Sequence, residues 1–288
     1  IAKEQGCKLD ETRAYLGLGK AYRFENHNEE AINHFKKSLE IAREQGYKPE
    51  ETEAHFLLGK AYVSCNQNQA AIQHFEKSLI IAREQEYKLD ETHAYLGLGE
   101  TYLSENQNKV AIEHYKNSLE ISREQGYKLE ETQAYLGLGE TYFSENQIQR
   151  AMQNYDKSLE IAREQGYKLQ EIEAYLALGE VCKSNERNHI AIQYYEKALD
   201  IAGEQGYKPQ ETQAYFELGE VFRSNHHNQM AIPQYEKSLE ILQEQGNKLQ
   251  ETQAYLGLGE AYRSDNQNQK AIQCYEGALE IAGEQGYK

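Results

Sequence analysis

The sequence repeats every forty residues, and that period limits the possible folds more than any other feature. The phrase AYLGLG begins at Ala14, Ala94, Ala134 and Ala254, with variants at Ala54, Ala174 and Ala214. A chain of 288 residues would ordinarily divide into about two domains. A repeat of this period instead builds a quasi-linear array in which each repeat contacts its neighbours. The expectation is one array over 1–288, with repeats at 12–45, 52–85, 92–125, 132–165, 172–205, 212–245 and 252–285.

Each repeat reads as two helices. Tyr15, Leu18, Gly19 and Tyr22 fall on one face of a 3.6-residue period, and Ala31, Ile32, Phe35, Leu39 and Ala42 fall on another. No alternating β-branched run competes, so strands are excluded. Gly19 recurs at Gly59, Gly99, Gly139, Gly179, Gly219 and Gly259. A mid-helix glycine costs about 1 kcal/mol against alanine, so the row implies a close approach with no room for a Cβ. Asn26 and its counterparts fit the left-handed residue that ends a helix. Asn28, Asn68, Asn108, Asn188, Asn228 and Asn268 are then expected as N-caps. The second helix should stop at Gln45-Gly46-Tyr47. Glu86 replaces that glycine once, which predicts the least regular junction. Pro233 lies past the first turn of its helix and predicts a delayed start or a kink.

From Thr12 to Gln45, with Leu18-Gly19, Tyr22, Ala31, Phe35 and Ser38 in order, the repeat resembles a tetratricopeptide repeat. The resemblance implies an all-α fold, a right-handed α-α superhelix (solenoid) of seven helix hairpins. The forty-residue period resembles the Pins-type G-protein-signalling modulators and related invertebrate proteins, and is less similar to kinesin light chain. Two departures stand out. The proline that usually closes such a repeat is replaced by Arg43, Arg83, Arg123 and Arg163, then by Gly203, Gln243 and Gly283. Where the Pins-type linker carries Asp, Tyr47, Tyr87, Tyr127, Tyr167 and Tyr207 stand here.

Charge and motif content narrow the function. Lys and Arg total 31 against 47 Asp and Glu, a net charge of −16. That balance disfavours nucleic acid and anionic membrane as partners. Cys7, Cys65, Cys182 and Cys274 show neither CxxC spacing nor a zinc pattern, which fits four free thiols in a reducing, cytoplasmic setting. His34, His74 and His114 form a ladder with a spacing too wide to share one metal ion. Neither HExxH, GxxxxGK[ST] nor GxSxG occurs. No enzyme and no cofactor is expected. Ile1 in place of Met suggests a piece of a longer chain.

The resemblance places the first helices along a concave groove that binds peptides. Carried onto this chain, the groove includes Leu16, Phe56, Leu96, Leu136, Leu176, Phe216 and Leu256. One turn on lie Lys20, Lys60, Glu100, Glu140, Glu180, Glu220 and Glu260, and then Arg23, Val63, Leu103, Phe143, Lys183, Arg223 and Arg263. The leucines could equally pack within the hairpins, and each Glu could pair with a nearby base. Gly17, Gly97, Gly137 and Gly257 stand where the family's carboxylate clamp would carry Asn, which argues against chaperone tails.

The resulting expectation is a protein-interaction scaffold for an apolar and basic peptide. The alternative is a spacer or regulatory arm of a larger signalling protein. The site residues are Leu96, Glu100, Leu103, Leu136, Glu140, Phe143, Leu176, Glu180, Phe216, Glu220, Leu256 and Glu260. The expected partners are protein or peptide, with end-to-end self-stacking through Tyr15 and Leu18 at one end and Tyr275, Leu279 and Ile281 at the other.

Overall fold

A computed structural model describes residues 2–284 and the side chains of 7–283. Ile1 and residues 285–288 lie outside the described residues. The chain divides into two compact units, Ile1–Asn154 and Tyr155–Lys288. Unit 1 holds α1 (Ala2–Phe24), α2 (Asn28–Gln45), α3 (Lys48–Ser64), α4 (Asn68–Glu84), α5 (Lys88–Ser104), α6 (Asn108–Gln125) and α7 (Lys128–Ser144). The division falls within α8 (Ile148–Gln165). Unit 2 continues with α9 (Lys168–Ser184), α10 (Asn188–Gln205), α11 (Lys208–Ser224), α12 (Asn228–Gln245), α13 (Lys248–Ser264) and α14 (Asn268–Glu284). Among the described residues there is no strand.

The glycine stops form as read. Gly46 takes φ 71°, and Tyr47 N donates to Ala42 O at 2.8 Å. Glu86 adopts the same left-handed turn at φ 57°, with Tyr87 N donating to Ala82 O at 2.8 Å. That junction is therefore not disrupted; α4 simply ends one residue early. Gly6 behaves differently, because α1 runs unbroken through it. Continuing the helix gives the backbone N–H groups after Gly6 their partners without a cap.

The asparagine caps are corrected by one residue. Asn26 is left-handed at φ 60°, but the cap position falls on His27 and Asn28 is already helical. The same shift puts Gln67, Gln107, Arg187 and His227 at the caps, and none of them makes a side-chain cap bond. The displaced asparagines are used elsewhere. Asn68 Nδ2 donates to Glu105 at 2.9 Å, and Asn188 Nδ2 donates to Asn225 at 2.6 Å, joining the turns of successive hairpins. Helix α12 begins at Asn228 like its counterparts, so Pro233 sits inside it without delaying its start.

An aromatic ring fills a slot built from glycine at Phe35, Phe75, Tyr115, Tyr195, Tyr235 and Tyr275 of the second helices. A Cβ on Gly59 would come within 2.6 Å of the Phe75 ring, as would a Cβ on Gly97 of the next hairpin. Gly219 and Gly257 flank Tyr235 in the same way. Gly97, Gly137 and Gly257 therefore belong to the packing between hairpins, where an Asn would collide with the ring.

The linkers are closed by a recurring ionic clasp. Arg83 Nε lies 3.1 Å from Glu91 Oε1, and Lys88 Nζ lies 2.8 Å from Oε2 of the same buried carboxylate. Arg43–Glu51 and Arg123–Glu131 repeat it in unit 1. The arginine that replaces the family's proline thus holds the longer linker. Where Gly203 and Gln243 stand instead, Glu211 and Glu251 pair, among the described residues, with the lysine alone, Lys208 and Lys248.

Candidate functional site

Within unit 1, α1 touches α3, α3 touches α5 and α5 touches α7, whereas among the described residues α2, α4 and α6 do not touch one another. The odd helices therefore lie on the inner side of the bend. In unit 2, α9 touches α11 and α11 touches α13. The residue rows assigned to a groove lie on these helices.

The apolar row is partly used in packing. In unit 1, Leu96, Leu103, Leu136 and Phe143 are half-buried, and Leu96 and Leu103 lie against the cluster of Ala111, Tyr115 and Leu138. Phe56 stacks on His93 of the next hairpin, with centroids 5.6 Å apart. In unit 2, Leu176 is buried and Phe216 packs against Tyr235, while Leu256 is 46% exposed. Each row keeps a partly exposed apolar face, except at Leu16 and Leu176.

The glutamate row has a structural role that the sequence reading missed. Glu220 accepts from Tyr235 Oη at 2.5 Å and from Arg223 at 2.8 Å. Glu260 accepts from Tyr275 Oη at 2.9 Å and from Arg263 at 2.5 Å. These two carboxylates anchor a tyrosine hydroxyl. Glu180 is exposed over much of its surface, yet partial desolvation by the residues around it, and then Glu217, raise its carboxyl above the usual range. Glu100 and Glu140 are exposed. A sequence signal for this role exists: Phe35 and Phe75 accompany Lys20 and Lys60, whereas Tyr115, Tyr155, Tyr195, Tyr235 and Tyr275 accompany glutamate.

The histidine ladder is a stacking row. His34 stacks on Tyr22 at 5.1 Å, His74 on Tyr62 at 5.4 Å and His114 on Tyr102 at 5.3 Å. His55 adds a buried pair, with its Nδ1 2.9 Å from His74 Nδ1 and its Nε2 2.8 Å from Arg43 Nη2. Because the guanidinium only donates, His55 must carry its proton on Nδ1 and give it to His74. Burial, foremost, lowers His55 to about 3 and His74 to about 4. Among the described residues no group of three or more His, Cys, Asp or Glu could hold a metal ion. No helix there is long and apolar enough to cross a membrane, and the four cysteines are free.

Helix hairpins stacked in register, with an aromatic ring locked against glycine, define a helical repeat protein. The chain belongs to the tetratricopeptide repeat family, whose sequence signature matches residues 12–45, 50–124, 90–164, 130–204, 170–244 and 210–284. Solved structures share the fold. RapI in its apo form is 16% identical with a TM-score of 0.71, covering 96% of this chain and 100% of that one. The Rap conjugation gene regulator of plasmid pLS20, in complex with the Phr* peptide, is 16% identical with a TM-score of 0.67, covering 98% and 78%. The signal transduction ATPase with a tetratricopeptide repeat sensor from Pyrococcus horikoshii is 16% identical with a TM-score of 0.75, covering 98% and 44%. No curated protein matches the chain in sequence.

Proposed function

We propose that the chain is a non-enzymatic scaffold that holds a protein or peptide segment along the inner, odd-helix face. The observation that carries this reading is the half-exposed apolar row of unit 1, Phe56, Val63, Leu96, Leu103, Leu136 and Phe143, flanked by Glu100 and Glu140. Apolar anchors in such a surface dominate affinity, and the charges set orientation and on-rate. In unit 2 the row runs through Leu176, Glu180, Phe216, Glu220, Leu256 and Glu260. There Glu220 and Glu260 have inward partners, so its contribution comes from Phe216 and Leu256. The likeness to a Rap regulator in complex with the Phr* peptide supports the reading at the level of fold. The partner envisaged is apolar and basic, in a cytoplasmic setting consistent with the free thiols. The Pins-type likeness rests on the forty-residue period.

Panning a random twelve-residue phage-displayed peptide library on the 288-residue protein tests the proposal. Enriched peptides should be apolar and basic, and Leu103→Glu should abolish their binding with circular dichroism unchanged. No enrichment would favour the spacer-arm alternative. Self-stacking is a separate proposal for this 288-residue chain. Leu18 is 46% exposed and Leu279 72% exposed, whereas their counterparts Leu58 and Leu239 are at 0% and 9%. A mass that rises across a hundredfold concentration range in light scattering supports it, and a constant mass contradicts it.

A further inference from the structure

Most charged side chains on the inner rows of unit 1 are already answered. Arg13 pairs with Glu50 at 3.0 Å, Lys20 with Glu53 at 2.6 Å, and His93 lies 3.1 Å from Glu130. Arg23, Lys60 and Glu100 differ. Among the described residues none of them makes a side-chain hydrogen bond or an ion pair. Arg23 is half-buried, and its Nε is sealed from solvent without a partner. Lys60, on the helix that α1 touches, is half-buried with its Nζ 5.6 Å above the Phe56 ring. Burial, and then the like charge of Arg23, hold its ammonium below the ordinary lysine range, against a smaller opposing pull from Glu100. Two partly desolvated cations set against each other cost stability unless an anion joins them.

On the neighbouring helix α5, Glu100 is an exposed carboxylate within Coulombic reach of Lys60 but in no direct ion pair among the described residues. Between the two lie the half-exposed Phe56, Val63, Leu96 and Leu103. Lys60 on α3 and Glu100 on α5 hold the same repeat position on touching helices, one helix spacing or about 10 Å apart, which about three residues of extended chain would cover. We propose that unit 1 takes its partner segment in one direction. A carboxylate of the segment sits on Arg23 and Lys60, apolar side chains cover Phe56 and Leu96, and about three residues further on a Lys or Arg meets Glu100. This rests on the groove reading above and adds an acidic head and a polarity to it. The anion is a carboxylate, since one guanidinium and one ammonium suit its two oxygens. A phosphate monoester would bring a second negative charge toward Glu53 and Glu100.

The test is to pan the same random twelve-residue library on the wild-type chain and on Arg23→Gln, Lys60→Gln and Glu100→Gln. Lys109→Gln, on the exposed start of α6, serves as the charge control. Wild-type selections should carry Asp or Glu and Lys or Arg about three residues apart in one fixed order. The acidic preference should vanish in the first two variants and the basic preference in the third, and the control should keep both. A synthetic peptide from the selection should bind Lys60→Gln about tenfold more weakly than wild type. Circular dichroism checks that each variant is folded. Enriched peptides without an acidic preference, or one that survives both cation variants, would overturn the subsite and leave the groove reading standing. No enrichment at all would overturn both. Tighter binding when phosphoserine replaces the peptide's Asp would overturn the carboxylate assignment.

Discussion

Tyr235 Oη donates a 2.5 Å hydrogen bond to Glu220 Oε1, joining the fully buried ring of α12 to the inner face of α11. Burial, then the carboxylate, pushes the phenol well above its ordinary range, so it stays a donor at any physiological pH. The same bond joins Tyr275 to Glu260, so at these two pairs it accounts for tyrosine in the second helix travelling with glutamate in the first. Among the described residues, Tyr195 Oη has no hydrogen-bond partner and Glu100 makes no such bond. Tyr235→Phe should destabilise the chain by about 1 kcal/mol in urea unfolding. Glu220→Lys alone should cost more, because it removes the acceptor of both the hydroxyl and Arg223 and sets an ammonium beside that guanidinium. In the double variant part of that loss should return, and additive losses would show that the pair is not coupled.

Gly97 accepts the Phe75 ring, so Gly97→Ala should lose about 1–3 kcal/mol despite alanine's better helix propensity. Gly17 has nothing within 4 Å of where a Cβ would sit. Gly17→Ala should therefore gain up to about 1 kcal/mol. Opposite signs in chemical denaturation are the expected outcome, and equal signs would refute the slot.

Much of this architecture was legible in the sequence. The forty-residue period, the helix pairs, the Gly46-type stops and the need for contact at Gly19 all follow from spacing and from the cost of glycine. The caps were misread by one residue, because the left-handed Asn26 must be followed by a connecting residue before the helix begins. Gly97 was misplaced in the groove because its constraint is a ring from the preceding hairpin, which spacing within one repeat does not reveal. The Tyr–Glu covariation was present in the letters and was missed by weighing each row alone. Glu86 kept its turn because left-handed backbone at a single exposed residue costs only about 1–2 kcal/mol.

The linker tyrosines occupy cap positions without capping. Asn247, which stands at the same place, accepts from Gln250 N at 3.3 Å. Tyr127→Asp and Tyr167→Asp should each add about 1 kcal/mol to stability through the cap. A lower melting temperature would show that the rings contribute more than the caps.

Pro233 is exposed inside α12 and leaves the Gln229 carbonyl without its helical donor. Pro233→Gln should raise stability by up to about 3 kcal/mol in urea unfolding, and no change would mean the helix has absorbed the proline without strain.

The His55–His74 pair makes stability depend on acid. Both imidazoles are neutral when folded, with values lowered to about 3 and about 4, whereas an unfolded histidine titrates near 6.5. Above that value the pair imposes no penalty. Below it the unfolded chain binds more protons, so stability falls as the pH drops toward the folded values. The double variant His55→Tyr, His74→Gln uses residues that other repeats carry at these positions. It should show a shallower loss between pH 6.5 and pH 4 in urea midpoints, and parallel profiles would contradict the assignment.

The central claim is that the odd-helix face holds the partner. A photoreactive benzoylphenylalanine in place of Leu103, on the inner face, or of Ile80, exposed on α4, tests it directly with a library-selected peptide. Illumination should crosslink the peptide at position 103 and leave position 80 unreacted. Crosslinking at position 80 alone, or at neither, would contradict it.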